Sequence, residues 1–303
     1  MKTSKLILSA LALVMSAGLA SAQSITELRI GMVGGESAQD RMNDFSCLQE
    51  YAEDALGVPV KMFAPADING VLQGLLGGTL DVAWIGPSAY ASIYLQDPDA
   101  VEPVLVKINL DGSFGYHSLG FARVDRNIAS LEDMKGKVFG FGDPNSTSGY
   151  LIPSIEIPQQ IGATMDSGDY FGEVKFTGGH EQTIVAVFNG DIDAGVTWSD
   201  AQGDWEDGYN SGALRKAADA GLVEMNDLVQ IWKSGVIPEA PVVVRKSMPE
   251  DAKAAIIELW DNLYETDQEC AYNVGAGESL GWDPIDHSVY ESVVEARRIK
   301  SGG

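Results

Sequence analysis

The sequence predicts an α/β protein of two domains with a hinged ligand cleft between them. Three observations predict it. Strand-like and helix-like segments alternate from residue 27 onward, the pattern of a parallel sheet covered by helices. The alternation stops and restarts after residue 113. The chain has 303 residues, beyond the length at which one core keeps growing and chains tend to divide.

Taken in order, ELRIGMV (27–33) has the β-branched and apolar character of a buried strand. In DFSCLQEYAEDALG, Phe45, Leu48, Tyr51, Ala52 and Ala55 recur at helical spacing and Gly57 closes the helix. VPVKMF (58–63), a helix around GVLQGLLGG (70–78) and the apolar strand DVAWIG (81–86) complete the first unit. The second opens with SLGFARV (118–124) as a strand and SLEDMKG (130–136) as a short helix, with Ser130 and Asp133 in capping-box positions. KVFGFGD (137–143), EVKFTGG (173–179) and IDAGVTW (192–198) read as strands, with the helix EQTIVAVFNG (181–190) between the last two. VQIWKS (229–234) and PVVVRKS (241–247) are further strands, and helices around 250–265 and 287–300 end the chain.

DGSFGYH (111–117) and KSGVIPEAP (233–241) are short crossovers rather than disordered linkers, so the two domains should sit side by side. One domain is expected to take residues 23–113 and about 240–303, the other about 114–239. The first 22 residues are read as a secretory leader: Lys2 and Lys5 precede LILSALALVMSAGLA, and Ala20-Ser21-Ala22 is a small-residue cleavage site. Cleavage after Ala22 leaves 281 residues, none of whose segments approaches the roughly 20 apolar residues of a membrane span.

Twenty basic against 44 acidic residues give a formal charge of −24, and loss of Lys2 and Lys5 takes it to about −26. Such a balance argues against nucleic-acid binding, which depends on neutralising phosphates with Lys and Arg. Cys47 and Cys270 enter an oxidising compartment far apart in sequence. They read either as a disulfide, adding about 4 to 5 kcal/mol on the chain-entropy account, or as two unpaired buried thiols.

GDPNSTSGY (142–150) follows a strand and precedes a segment whose Pro153 and Pro158 allow only short or kinked helical pieces. It reads either as an ordinary capped helix start or as an anion cradle. Helix starts leave N–H groups unpartnered and carry partial positive charge, and Ser146, Thr147 and Ser148 add hydroxyl donors. His180 follows Gly178-Gly179 at a second helix start, from which it could serve the same anion. H-E-x-x-H, C-x-x-C and phosphate-loop patterns are absent, which leaves a hydrolase or transferase without its usual constellation. Trp84, Tyr116 and Trp198 lie at strand ends where they line either a core or a cleft. Asp200 follows the last of these strands and could meet a cationic group.

These segments resemble the periplasmic phosphonate-binding proteins of ABC importers, the PhnD type. GDPNSTSGYLIP (142–153) and GGHEQTIVAVFNGDIDAG (178–195) carry the likeness most specifically. FAPADINGVLQGLLGGTLDVAWIGPSAY (63–90), DGSFGYHS (111–118) and IWKSGVIPEAPVVVRKSMPED (231–251) are similar in the same order. The resemblance implies a class II periplasmic binding fold and a membrane permease as partner; a monomer without cofactor or metal is expected. It implies that Ser146, Thr147, Ser148, His180 and Tyr116 hold the phosphonate oxygens and that Asp200 faces the substituent, around which Trp198, Ile68 and Trp84 are also expected from their own places in the sequence. The other readings are a receptor for a sulfonate or carboxylate and, less favoured, a phosphoryl-group hydrolase.

Two positions depart from the aminoalkylphosphonate binders. Ile68 stands where they have a tyrosine, and Ala240 where they have a second acid, while the neighbouring Glu239 is expected to point elsewhere along an extended segment. Trp198 then offers an aromatic face to an alkyl or methylated ammonium group.

Overall fold

The structure is a computed structural model that describes residues 25–32 and 38–302. The expected leader and its cleavage site lie outside the described residues.

In chain order the first unit runs β1 (Leu28–Met32), α1 (Ala38–Asp44), α2 (Ser46–Leu56), β2 (Val60–Phe63), α3 (Ile68–Leu76), β3 (Val82–Trp84), α4 (Pro87–Gln96) and β4 (Val101–Lys107). The second runs β5 (Gly115–Arg123), β6 (Val138–Phe141), α5 (Pro153–Ile161), β7 (Glu173–Phe176), α6 (His180–Asn189), β8 (Ala194–Ser199), α7 (Ala213–Asp219), β9 (Leu228–Lys233) and β10 (Ile237–Pro238). The chain then returns through β11 (Pro241–Arg245), α8 (Glu250–Thr266), α9 (Gln268–Gly275), β12 (Trp282–Pro284) and α10 (Glu291–Lys300).

Two six-stranded sheets result. The first has the order β12-β4-β11-β3-β1-β2, with β1 parallel to β2 and β3 and the returning β11 antiparallel to both β3 and β4. The second has β10-β5-β8-β6-β7, with β9 also on β5 and β6 parallel to β7 and β8. Leu28, Ile30, Val82 and Val242 of the first sheet pack against Ile256, Trp260 and Leu263 of α8, whose spacing puts them on one face. Phe139, Phe141, Phe171 and Val196 fill one side of the second sheet. Among the described residues no helix is long and apolar enough to cross a membrane.

The crossovers run between Lys107 and Gly115 and between Pro238 and Pro241. A third link is not covalent. Residues 210–212 pair with 276–278, Gly212 N donating to Ala276 O and Glu278 N to Asn210 O, both at 3.0 Å. Gly277 makes this possible: its φ is +130°, and a Cβ there would lie 2.3 Å from Asn210 O. Cys47 on α2 and Cys270 on α9 form a disulfide.

Candidate functional site

Strand β6 delivers the chain to the turn at residues 142–150, where the backbone folds as a single π-type turn. Leu151 N donates to Ser146 O and Ile152 N to Thr147 O, each skipping five residues, before Pro153 opens α5. The short pieces expected from Pro153 and Pro158 are what forms. Asp143 accepts from Asn145 N at 2.6 Å and Ser146 Oγ from Gly149 N at 2.9 Å. Ser118 Oγ on the neighbouring β5 donates to Ser148 O at 2.6 Å. Arg297 of α10 reaches over from the first unit to donate to Pro144 O and Asn145 Oδ1.

Across the cleft, α4 begins at Pro87 with Gly86 before it, and Ser88 N donates to Thr147 Oγ1 at 2.8 Å. Thr147, from the second unit, thus answers a helix-start donor of the first. Gly86 permits the approach, since a Cβ on it would stand 3.0 Å from Thr147 Oγ1. Ile68 N makes a longer contact, 3.4 Å, to Asp143. Near the cleft, Lys216 pairs with Asp44 at 2.7 Å.

Between the two units lies a cavity of about 120 Å³. Of the residues predicted from sequence, Ser146, Thr147, Ser148, His180 and Tyr116 line it, as do Ile68, Trp84 and Trp198. Asp200 does not: its carboxylate turns to Ser199 Oγ and Gln202 N behind Trp198. Trp198 meets Trp84 and Tyr116 edge to face, at 6.5 and 6.1 Å between ring centroids, so aromatic rings from both units close one end.

Glu239 corrects an expectation. It lines the cavity and is 2% exposed, because β10 stops at Pro238 and β11 starts at Pro241, so strand alternation does not govern residues 239–240. Its carboxylate bends back to accept from Ala240 N, while its backbone pairs with Phe114 O. Arg41, missed from sequence, is also buried on the cavity wall, its guanidinium donating to Met32 O and Pro65 O. No local motif marks Arg41; only its burial identifies it.

The hydroxyls are poised as donors. Backbone N–H groups already use the oxygens of Ser146 and Thr147 as acceptors, which leaves each O–H hydrogen to be given to something else. His180 stands between Ser146 Oγ, 3.4 Å from Nε2, and Thr197 Oγ1, 3.1 Å from Nδ1. It is half-buried, its accessible surface facing the cavity it lines, and burial pushes its imidazole down to about 4. Burial likewise pushes the Tyr116 phenol up, against the pull of the Thr147 and Ser148 hydroxyls beside it. Such convergent donors suit a small oxyanion. Among the described residues no group of His, Cys, Asp or Glu is placed to hold a metal ion.

Residues 30–290 match a family model described as ABC transporter, phosphonate, periplasmic substrate-binding protein. A phosphonates-binding periplasmic protein of Escherichia coli is 30% identical over 90% of this chain and 75% of its own length. A phosphate-import protein of Mycolicibacterium smegmatis is 29% identical over 69% of this chain and 63% of its own length. Among solved structures, a binding protein component of an ABC phosphonate transporter from Pseudomonas aeruginosa superimposes with a TM-score of 0.77, covering 91% of this chain and 86% of that one at 24% identity.

Proposed function

Because the chain belongs to the family of periplasmic substrate-binding proteins of phosphonate ABC transporters, we propose that its cavity captures a phosphonate through Ser146, Thr147, Ser148, His180 and Tyr116. The family is one of receptors, and this chain is a periplasmic receptor rather than an enzyme. The observation that carries the ligand assignment is the convergence of these five side chains, from separate segments, on one cavity between the two sheets. The substituent then lies toward Ile68, Trp84 and Trp198.

Burial of the ligand requires the units to open and close, with residues 107–115 and 238–241 as the hinges. The division into a domain of residues 23–113 and about 240–303 and one of about 114–239 fits this motion, since sheet membership changes at the same places. The protein acts as a monomer, cut after Ala22, and hands its ligand to the membrane permease of the importer. The acidic surface does not oppose anion capture: exposed charges are screened beyond about 8 Å at physiological salt, whereas buried donors act in contact.

Calorimetric titration with methylphosphonate, phosphite, phosphate, an alkylsulfonate and acetate tests the ligand class. Saturable binding of a phosphorus oxyanion is expected. Binding of only the sulfonate or carboxylate would sink the phosphonate reading.

A further inference from the structure

Strand β4 ends in Lys107, whose side chain is fully buried behind the cavity wall. Its Nζ donates to Ser211 Oγ at 2.9 Å and to Gly275 O at 3.2 Å. Gly275 is the last residue of α9, and a helix C-terminus favours a cation. The same Nζ lies 5.3 Å from the centroid of the Trp198 ring, which lines the cavity from the other side.

Two carboxylates act on this ammonium through space, Glu239 and Asp200. They are 2% and 3% exposed, and each has one oxygen without a hydrogen-bond partner. Buried carboxylates without a compensating charge are costly. Burial holds the Lys107 ammonium below its usual range, and these two acids offset that only in part. Helix terminus, ring face and both acids therefore all favour a resident cation at this point.

We infer that Lys107 is the built-in counter-ion of the substituent end of the cavity and a specificity-determining residue, so that the ligand is a phosphonate carrying a short uncharged alkyl group rather than an ammonium. The inference rests on the phosphonate reading above. With Glu239 and Asp200 answered from inside the protein, the cavity has no demand for a cation from the ligand. An ammonium placed against Trp198 would face Lys107 across one indole ring, where like charges repel strongly for want of water. Ile68, Trp84 and Ala240 offer it no acceptor side chain in exchange, and the Glu239 carboxylate on the wall is already drawn toward Lys107. Size points the same way. The cavity of about 120 Å³ is smaller than the ~150 Å³ apolar cavity that holds benzene, and methylphosphonate has fewer heavy atoms than benzene.

The test titrates the full-length mature protein with methylphosphonate, ethylphosphonate and aminomethylphosphonate. The last two match in heavy atoms and differ in a terminal methyl against an ammonium. Ethylphosphonate should bind more tightly than aminomethylphosphonate by about tenfold or more. Lys107→Met, which leaves both carboxylates unanswered, should shift that ratio toward aminomethylphosphonate by a similar factor. Equal or tighter binding of aminomethylphosphonate to the unmutated protein would overturn the inference and leave the phosphonate reading standing. So would loss of ethylphosphonate binding where methylphosphonate binds, or an unchanged ratio in folded Lys107→Met. If the variant does not fold, the ratio for the unmutated protein decides alone. Failure of all three ligands to bind removes the phosphonate reading and this inference together.

Discussion

His180 is held between two hydroxyls in a space that disfavours its charge, and this ties stability to pH in a definite direction. Its folded value of about 4 lies below the ordinary 6.5. Above 6.5 neither state carries the proton, and the folded protein pays nothing for it. As pH falls from 6.5 toward 4 the unfolded chain takes up a proton that the folded chain refuses, so stability is lost across that window. His180→Asn should flatten this part of the pH profile of thermal unfolding, with ligand absent; an identical slope would show that the imidazole is not the group responsible. A bound anion reverses the preference, favouring the protonated ring and raising its value. Residue by residue, the site is legible where it is contiguous: Ser146, Thr147, Ser148 and His180 sit in short distinctive segments. Lys107 and Arg41 stayed hidden because each owes its place to segments distant in sequence, and Glu239 was misdirected because it falls between two strands rather than within one.

The turn at residues 142–150 depends on Gly149 as much as on its hydroxyls. A Cβ at Gly149 would lie 2.7 Å from Ser146 Oγ and 3.3 Å from His180 Cε1. Gly149→Ala should therefore displace the Ser146 hydroxyl and weaken ligand binding by about 1–3 kcal/mol, the cost of one hydrogen bond to a charged group, with little change in the fold. Calorimetry on the variant measures it, and unaltered affinity would return the segment to helix capping. Strands of the sheet centres were readable because β-branched and apolar residues run through them. Helix α4 was not, since every residue from Pro87 to Ile93 is buried and no amphipathic period survives. In β4, Glu102 and Pro103 interrupt the apolar run, and the register against β11 slips at the same place. Strand β12 is three residues long, too short to carry a pattern.

At the level of the whole molecule, closure is held by contacts scattered along both units: Thr147 on Ser88, Lys216 on Asp44, Arg297 on the turn, and the pairing of 210–212 with 276–278. The last is the most easily broken. Gly277→Ala puts a methyl group into Asn210 and removes two backbone hydrogen bonds between the units, at about 0.5–1.5 kcal/mol each. The closed form should lose about 1–3 kcal/mol, seen as weaker ligand affinity and, by small-angle scattering, a larger radius of gyration at a given ligand concentration. A radius unchanged from the parent would place the fastening elsewhere. Two sheets were expected from the restarted alternation; this noncovalent third link was not, because nothing in the sequence of either segment names its partner.

The disulfide has a topological meaning that its modest size conceals. Both its cysteines belong to helices of the first unit, yet the whole second unit, from Gly115 to Pro238, is strung between them. The chain is thus a covalent ring carrying two tails, and the ligand-gripping turn is part of the ring. A protease that nicks any loop of the second unit opens the ring without releasing a fragment. In an oxidising compartment crowded with proteases, such a receptor can be cut once and still remain one molecule.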